Sequence, residues 1–313
     1  DGRYALIRNY GMSLEMLHPD FHLILWNTET GSERSIYLQQ LEDRKAPTVN
    51  DVYSVAISPD AHHVISGGAH GCLRLWDLDS AHEIHRWFEL RPDIGAINSV
   101  AFSPDGRLVA AVGTNGLSVL DLDTRTELHR FPGGFAWFNQ LAFSADSRQL
   151  LCGSFSTSKL IDVETGLIYC EFEGYTGVEG VALSTDGALA LFGCEDGSLH
   201  LWDVQSRLEL RQWHHGSRVR EEGIILSISH NSRRTITHLK SKRTSVAFSP
   251  NGLYALSGAF QDKTMCLWDI NSGREVCRFM HDDDVVRVAF LPDDLHALSA
   301  CWTGSVYLWK LPL

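Results

Sequence analysis

The sequence lacks a long apolar run, since none approaches the ~20 residues that cross a bilayer as a helix. No positively charged segment followed by an apolar stretch opens the chain, so a secretory signal is not predicted. Three catalytic motifs are also missing: the GxSxG elbow, the glycine-rich phosphate loop and HExxH. No long segment has helical periodicity. These absences disfavour a membrane helix, the enzyme classes those motifs mark, and a helix-rich fold.

Positive charge is scarce, with 27 Lys and Arg against 39 Asp and Glu and a formal net charge of −12. A general nucleic-acid or anionic-membrane surface needs a basic field, so we expect neither partner. One segment concentrates basic residues, and we interpret it as solvated. These residues are Arg233, Arg234, Lys240, Lys242 and Arg243.

The seven cysteines are scattered and form no CxxC pair. Cys170 and Cys277 precede Glu-Phe and Arg-Phe, where a small apolar residue would serve equally well. We interpret the cysteines as buried reduced thiols and predict a cytoplasmic location, with disulfides as the alternative.

The chain does contain one recurring phrase, an apolar segment that runs into Ser-Pro-Asp-Gly or a worn copy of it. A clear copy is Val100-Ala-Phe-Ser-Pro-Asp-Gly106. The serine or its substitute stands at 58, 103, 144, 184, 249 and 291. Apart from the longer step between 184 and 249, successive copies are about 40–45 residues apart, which is the length of a four-stranded propeller blade.

Residues 97–131 show how one repeat would fold. Residues 97–102 are compact and apolar, as in an inner strand covered on both faces. In the following Ser-Pro-Asp-Gly, proline presets φ, aspartate bonds to the backbone and glycine accepts a left-handed conformation. Two further strands lead to the charged segment 127–131, whose polarity suits an outer edge that must resist pairing with other molecules.

The repeated phrase, together with Trp-Asp at the end of several third strands, resembles the WD40-repeat family. Trp-Asp is intact at Trp76-Asp77, Trp202-Asp203 and Trp268-Asp269, and altered at Trp26-Asn27 and Trp309-Lys310. The resemblance covers nearly the whole chain, and its uniform turns are similar to those of bacterial members. It implies an all-β fold, a seven-bladed β-propeller of four-stranded antiparallel blades.

We predict one propeller over residues 1–313. Its seven units are 1–38, 52–88, 97–131, 138–173, 179–213, 244–280 and 285–311. The first unit lacks an inner strand and the last an outer strand. Because the family closes its ring by joining the termini, we expect the missing strands, and an attached effector domain, upstream of Asp1. We interpret 214–243 as a hairpin inserted between blades five and six; the alternative is a degenerate extra blade.

In the family, a histidine near the start of a blade bonds a turn aspartate, a serine and the tryptophan, which stiffens the blade. The matching residues here are Trp76, Asp196, Trp202, Asp262, Trp268, His281, Ser299 and Trp309. His214 or His215 would be a further remnant, although His214-His215 also reads as a surface pair. Few blades carry the full set, so we expect packing to provide most of the stiffening.

Departures from the repeat fall mostly on the face that carries the loops between blades and the turns between second and third strands. Such loops on a rigid scaffold commonly carry binding. The candidate partner-binding residues are loop aromatics and residues at the mouths of the inner strands. They are Tyr53, Asn98, Trp137, Asn139, Phe155, Glu179, Phe260 and Trp302. The alternative role of the aromatics is to fill gaps between blades.

We therefore expect a non-catalytic scaffold that binds a protein or peptide. One alternative is a propeller enzyme or small-ligand binder that uses the central channel, for which only Glu179 offers a carboxylate. A second is a ring that mediates self-association. We interpret His281-Asp-Asp-Asp284 as a solvated acidic turn, because adjacent loop residues do not all converge on one ion, and we expect no metal or cofactor.

Overall fold

The computed structural model describes most of the chain. The described residues are 4–8, 21–27, 30, 32–38, 52–68, 71–87, 95–132, 140–155, 157–175, 177–216, 244–260 and 262–313. They form 26 strands, all of which pair antiparallel within seven sheets. Within these residues no helix is long and apolar enough to cross a membrane.

The first four sheets follow one another along the chain. Sheet one contains β1 (Tyr4–Arg8), β2 (Phe21–Asn27) and β3 (Glu33–Leu38). Sheet two contains β4 (Val52–Ile57), β5 (His63–Gly68), β6 (Leu73–Asp77) and β7 (Glu83–Trp87). Sheet three contains β8 (Ile97–Phe102), β9 (Leu108–Gly113), β10 (Gly116–Asp121) and β11 (Thr126–Pro132). Sheet four contains β12 (Leu141–Phe143), β13 (Gln149–Cys152), β14 (Ser158–Asp162) and β15 (Ile168–Phe172).

The last three sheets continue the pattern. Sheet five contains β16 (Val178–Leu183), β17 (Leu189–Cys194), β18 (Ser198–Asp203) and β19 (Leu208–His214). Sheet six contains β20 (Thr244–Phe248), β21 (Tyr254–Ala259), β22 (Thr264–Asp269) and β23 (Glu275–Met280). Sheet seven contains β24 (Val285–Phe290), β25 (His296–Cys301) and β26 (Val306–Lys310).

Successive sheets meet through their first strands. From β4 onward, the first strand of each sheet contacts the first strand of the next, ending with β24, and β1 contacts β4. Four-stranded antiparallel sheets arranged in this way are the blades of a β-propeller. The predicted all-β propeller class is therefore confirmed, and we call each sheet the blade of the same number.

The apolar core lies between blades rather than at one centre. Leu117 and Val119 of blade three are fully buried against Leu150 and Ile161 of blade four, and similar layers separate blades two to seven. Blades two to six are therefore buried on two faces, which explains the compact apolar runs in their inner three strands. The many small layers also explain why no single run of core residues dominates the sequence.

The Ser-Pro-Asp-Gly turns form as the sequence predicts. In blade three, the Ser103 hydroxyl donates to Asp105 Oδ1 at 2.5 Å, and Asp105 Oδ1 accepts the Arg107 amide at 3.0 Å. The Leu108 amide donates back to Ser103 Oγ at 2.8 Å, and Gly106 takes a φ of 75°. Most polar atoms of the turn therefore satisfy one another, and the Asp105 amide donates to Ser147 Oγ of blade four at 3.1 Å.

The boundary between blade five and the predicted insertion differs slightly from the sequence interpretation. β19 extends to His214, one residue beyond the predicted unit 179–213. The neighbouring His215 is buried, with only 1% of its surface exposed. The interpretation of His214-His215 as a surface pair is therefore wrong for His215, whose ring hydrogen-bonds within blade six. Residues 217–243 lie outside the described part of the chain.

The cysteines match the prediction of buried thiols. All seven lie in the described part of the chain and are free, and only Cys277 is half-buried rather than buried. Burial raises the pKa of the Cys194 thiol to about 12 and that of Cys170 to about 11. These thiols are protonated at neutral pH and therefore chemically inert.

Candidate functional site

The two faces of the propeller differ in what they carry. We define the upper face as the side where first strands begin, so it carries the connections between blades and the turns between second and third strands. Backbone hydrogen bonds hold these two kinds of segment together. The Glu195 amide donates to the Gly177 carbonyl at 2.7 Å, and the Trp302 amide donates to the Asp284 carbonyl at 2.9 Å. The upper-face turns therefore have defined positions.

A β-bulge occurs at the second residue of four first strands. In β4, Val52 pairs with Gly68 and Ser54 with Gly67, so Tyr53 has no opposite residue in the ladder. The same register shift occurs in β8, β16 and β24. The four bulge residues are Tyr53, Asn98, Glu179 and Val286. A bulge re-aims a side chain, and here it acts on three of the predicted partner-binding residues.

The predicted partner-binding residues differ in exposure. Tyr53 is 46% exposed and Phe155 is 48% exposed, whereas Asn98 and Glu179 are half-buried. Phe155 lies on the turn after β13, and its carbonyl accepts the Gly177 amide from the connection to blade five at 2.7 Å. Trp137 and Asn139, which were predicted with them, lie outside the described residues.

The aromatic pair of blades six and seven lies on the same face. Trp302 is 51% exposed, and Phe260 is half-buried. Their ring centroids are 5.7 Å apart with an interplanar angle of 83°, which is an edge-to-face contact. The contact supports the gap-filling role for Phe260 and leaves about half of Trp302 open to solvent.

Blade six contains a hydrogen-bonded network around His215. Its Nδ1 lies 2.5 Å from Ser257 Oγ, which accepts the Nε1–H of Trp268 at 2.7 Å. Its Nε2 lies 2.9 Å from Thr264 Oγ1. Asp262 Oδ2 is 3.1 Å from the same nitrogen, at ion-pair distance but outside hydrogen-bond geometry. The network links the end of blade five to the second and third strands of blade six.

His215, Ser257 and Thr264 were not among the predicted blade-stabilising residues. A signal was present in the sequence: His215 follows the outer-strand residue Trp213 by two positions, as His281 follows Phe279. Because the two histidines are adjacent, the sequence does not show which of them is the blade-stabilising histidine of the family. The structure answers this, since β19 ends at His214 and His215 is the first residue after the strand.

Blade seven has a shorter network of the same kind. His281 Nε2 lies 2.6 Å from Ser299 Oγ, and Trp309 Nε1 donates to Ser299 Oγ at 2.8 Å. Burial lowers the pKa of His281 more than its backbone hydrogen bonds and the charge of Asp282 raise it. His281 is therefore mostly neutral at pH 7. In blade two, Trp76 Nε1 donates to Ser66 Oγ at 2.8 Å, which extends the serine–tryptophan pair to a third blade.

Blade five departs from this arrangement. Trp202 Nε1 is buried without a hydrogen-bond partner among the described residues. In the blades with a serine acceptor, that serine lies two positions after the residue opposite the tryptophan. In blade five Ala190 lies opposite Trp202, so the equivalent position is Phe192, whose side chain accepts no hydrogen bond. Asp196 instead accepts the Ser198 amide at 2.8 Å and caps the turn. Trp202 is therefore held by packing, with Phe172 at a centroid distance of 5.6 Å.

Blade five also contains a serine–histidine–glutamate relay. Ser198 Oγ lies 2.9 Å from His200 Nε2, and His200 Nδ1 lies 2.6 Å from Glu209 Oε1. The order matches a nucleophile, a base and an orienting acid, but Ser198 is only 2% exposed. A substrate therefore has no access to its hydroxyl, and the relay joins strands β18 and β19. In the described part of the chain, no group of three or more His, Cys, Asp or Glu is placed to hold a metal ion.

The sheets repeat along the chain and pack side by side. One face carries turns closed largely by their own hydrogen bonds and the other carries varied loops, which together define a repeat β-propeller. The chain belongs to the family described as "WD domain, G-beta repeat". The family's sequence model matches more than half of the chain, over residues 41–77, 91–117, 166–203, 230–269 and 273–310. The match at 166–203 begins before the outer strand β15 and ends with the third strand β18 of the next blade. The repeat unit therefore spans two blades and ties them together covalently.

Three curated relatives illustrate the similarity. "Cross-pathway control WD-repeat protein 2" from Flammulina velutipes is 30% identical over 172 residues, covering 50% of this chain and 52% of the relative. "Autophagy-related protein 16" from Arabidopsis thaliana is 24% identical over 267 residues, covering 82% and 47%. "Guanine nucleotide-binding protein subunit beta" from Arabidopsis thaliana is 28% identical over 192 residues, covering 57% and 50%. The matches span about half the length of these relatives.

A solved structure shares the fold. A chain of the "Crystal Structure of Mitotic Checkpoint Complex" superposes with a TM-score of 0.72 at 16% sequence identity, covering 93% of this chain and 82% of that one. At this level of identity the likeness concerns the fold alone.

Proposed function

We propose that the chain acts as a single propeller module and as a non-catalytic scaffold that binds a protein or peptide on its upper face. The observation that carries the proposal is the exposure of Tyr53, Phe155 and Trp302 on that face. Each is about half open to solvent, at 46%, 48% and 51%. Large rigid aromatics of this kind are enriched among residues that dominate binding energy in protein interfaces.

The local backbone supports a binding role for these three side chains. Tyr53 is a bulge residue. The turn of Phe155 hydrogen-bonds to the connection before β16, and the turn of Trp302 to the connection before β24. A side chain on a fixed backbone loses less conformational entropy on binding than one on a mobile loop. Among the relatives, one is named as a subunit of a larger protein, which also favours an interaction role.

Few observations support the alternative function, an enzyme or small-ligand binder that uses the central channel. Glu179 is the one carboxylate among the four bulge residues at the channel mouth. In the Ser198–His200–Glu209 relay, Ser198 and His200 are buried in a blade, and Glu209 is exposed on the outer strand β19. We also infer a reducing compartment such as the cytoplasm, because all seven cysteines are free.

The proposal is tested by replacing Tyr53, Phe155 and Trp302 together with alanine. Proteins captured from lysate of the source organism are quantified by mass spectrometry against the unmodified chain. We expect a defined set to fall by at least about tenfold, the usual effect of removing interface aromatics. The matched control changes the exposed Leu167, Leu208 and Leu295, all away from the upper face, to alanine. Capture that survives the first variant but is lost in the control would refute the assignment, provided that both variants melt like the unmodified chain.

A further inference from the structure

The described loops of the upper face are strongly acidic from the end of blade four to blade seven. The acidic residues of its described loops are Glu173, Glu195, Asp196, Asp262, Asp282, Asp283 and Asp284. Among the described residues of the same loops, Lys263 is the only Lys or Arg, and its Nζ donates to the Asp282 carbonyl at 2.8 Å. Negative charge therefore dominates the described loops of this half of the face, and such a field attracts and orients a positively charged partner.

The acidic loop of blade seven has a fixed position beside Trp302. The Thr303 amide donates to Asp283 Oδ2 at 2.8 Å, and the Trp302 amide donates to the Asp284 carbonyl at 2.9 Å. The amide of Asp284, and then that of Thr303, hold the pKa of the Asp283 carboxyl below its usual value against the effect of burial. The carboxylate is therefore charged at neutral pH. Three consecutive aspartates are thus attached to the turn that presents the exposed indole.

An exposed indole beside carboxylates suits a particular cation. The face of a tryptophan ring attracts cations, and the planar guanidinium of arginine stacks on it more readily than the ammonium of lysine. Carboxylates accept hydrogen bonds from the same guanidinium. In the edge-to-face contact, Phe260 fixes one side of Trp302 and leaves the ring half exposed. The aromatic and acidic groups can therefore act on one arginine side chain together.

We propose that Phe260, Trp302 and Asp282–Asp284 form an acidic–aromatic sector that docks an arginine from a basic segment of a partner protein. The inference rests on the proposed function and specifies the chemistry of the partner. The exposed indole and the negative charge of the surrounding described loops favour a partner of this chemistry. Two other occupants are outcomes of the test: the basic residues of the chain's own 217–243 segment, and a second copy of the chain.

The test selects random linear peptides, displayed on phage, for binding to the purified chain. We expect arginine to be enriched in the selected peptides, and substitution of that arginine by citrulline to abolish binding. Trp302→Ala and the isosteric triple variant D282N/D283N/D284N should each weaken the peptides by at least about tenfold, as expected for a central anchor. Replacing the arginine by lysine should weaken binding by a smaller factor, because charge is kept and stacking is lost.

A matched control separates the sector from net charge. The variant D79N/D123N/E164Q removes three exposed negative charges from the turns between third and outer strands, on the lower face. It should bind the selected peptides within about twofold of the unmodified chain, because screening over a Debye length weakens such distant charges. Equal losses in the control and in D282N/D283N/D284N would overturn the proposal, since binding would then follow overall charge alone.

Further outcomes distinguish this inference from the broader one. Selected peptides that carry no basic residue, yet depend on Tyr53 or Phe155, overturn the arginine assignment and leave the proposed function standing. Peptides that bind equally to all upper-face variants contradict both. Enrichment of peptides only in a variant whose basic segment is neutralised would assign the sector to the chain's own segment. In that variant the following residues are changed to glutamine: Arg233, Arg234, Lys240, Lys242 and Arg243. Self-association that Trp302→Ala abolishes would assign it to a second copy, and a selection that enriches nothing overturns the proposal.

Discussion

Tyr175 stacks on Phe192 with ring centroids 4.9 Å apart and an interplanar angle of 29°. The pair lies beside Trp202 in blade five, where blade seven has His281 and Ser299 beside Trp309. An aromatic stack therefore replaces a hydrogen-bonded network at equivalent places in the same fold. Both solutions fill the space at the end of a blade, but only the network gives the tryptophan nitrogen a partner.

This difference predicts unequal costs for two equivalent substitutions. Trp268→Phe removes a hydrogen bond of 2.7 Å to Ser257, whereas Trp202→Phe removes a nitrogen that has no partner among the described residues. We expect Trp268→Phe to lower the free energy of unfolding by about 1–2 kcal/mol more than Trp202→Phe, the value of a buried hydrogen bond. Urea denaturation of the two variants measures the difference. Equal losses would show that packing alone determines the role of both indoles.

Ser257→Ala should be among the more damaging small substitutions. Ser257 Oγ meets both His215 Nδ1 and Trp268 Nε1, so its loss leaves two buried polar atoms without this partner. Each unsatisfied buried group costs about 1–3 kcal/mol, and we expect a total of about 2–4 kcal/mol. The midpoint of chemical denaturation reports it. Ser305→Ala, at an exposed turn of blade seven, is the matched control and should change stability by less than about 0.5 kcal/mol.

The fold was predictable because its local chemistry repeats. Each copy of Ser-x-Asp closes its own turn, as Ser103 and Asp105 do, and so the sequence pattern and the structure carry the same information. The register of the inner strands was not predictable in this way. The bulges at Tyr53, Asn98 and Glu179 fall on three different residue types, so no shared residue marks them in the sequence.

The site was predictable in outline only. The repeat assigns Phe155 and Trp302 to loops and Tyr53 to the mouth of an inner strand, and each of the three is about half exposed. The sequence did not predict which aromatic rings are half exposed and which fill gaps between blades, because this depends on the neighbour of each ring. Phe260 supports Trp302 through an edge-to-face contact between two blades. Such a contact joins residues that are far apart in sequence, so no local sequence pattern predicts it.

The stability of blade seven should depend on pH through His281. Burial lowers the pKa of His281 below its ordinary value of about 6.5, so the folded state binds fewer protons than the unfolded state between those two values. The free energy of unfolding therefore falls as pH decreases from about 6.5 towards the folded pKa, and does not change further from this source below it. Above about 6.5 the histidine is neutral in both states and contributes no pH dependence.

His281→Gln should remove this contribution. We expect the variant to be less stable than the unmodified chain at pH 7.5, because the ring that contacts Ser299 at 2.6 Å is gone. The difference should narrow at pH 5.5, where the unmodified chain alone carries the cost of a buried histidine. Urea denaturation at both pH values measures it, with His62→Gln at an exposed position as the control. A difference that is constant with pH would show that His281 does not titrate between these values.

Gly180→Ala tests how closely the inner strands approach. A Cβ at Gly180 would lie 2.4 Å from the Thr244 carbonyl oxygen and 3.1 Å from the Val246 amide nitrogen, both of which are backbone atoms of the next blade. Because backbone cannot rotate away as a side chain can, blades five and six must separate, and we expect a loss of about 2–3 kcal/mol. Gly252→Ala provides the comparison. It has a φ of 70° and open space around it, so it should lose only the about 1 kcal/mol of left-handed strain. If Gly180→Ala is no worse than Gly252→Ala in chemical denaturation, the inner strands can move apart easily, and the propeller is less rigid than its packing implies.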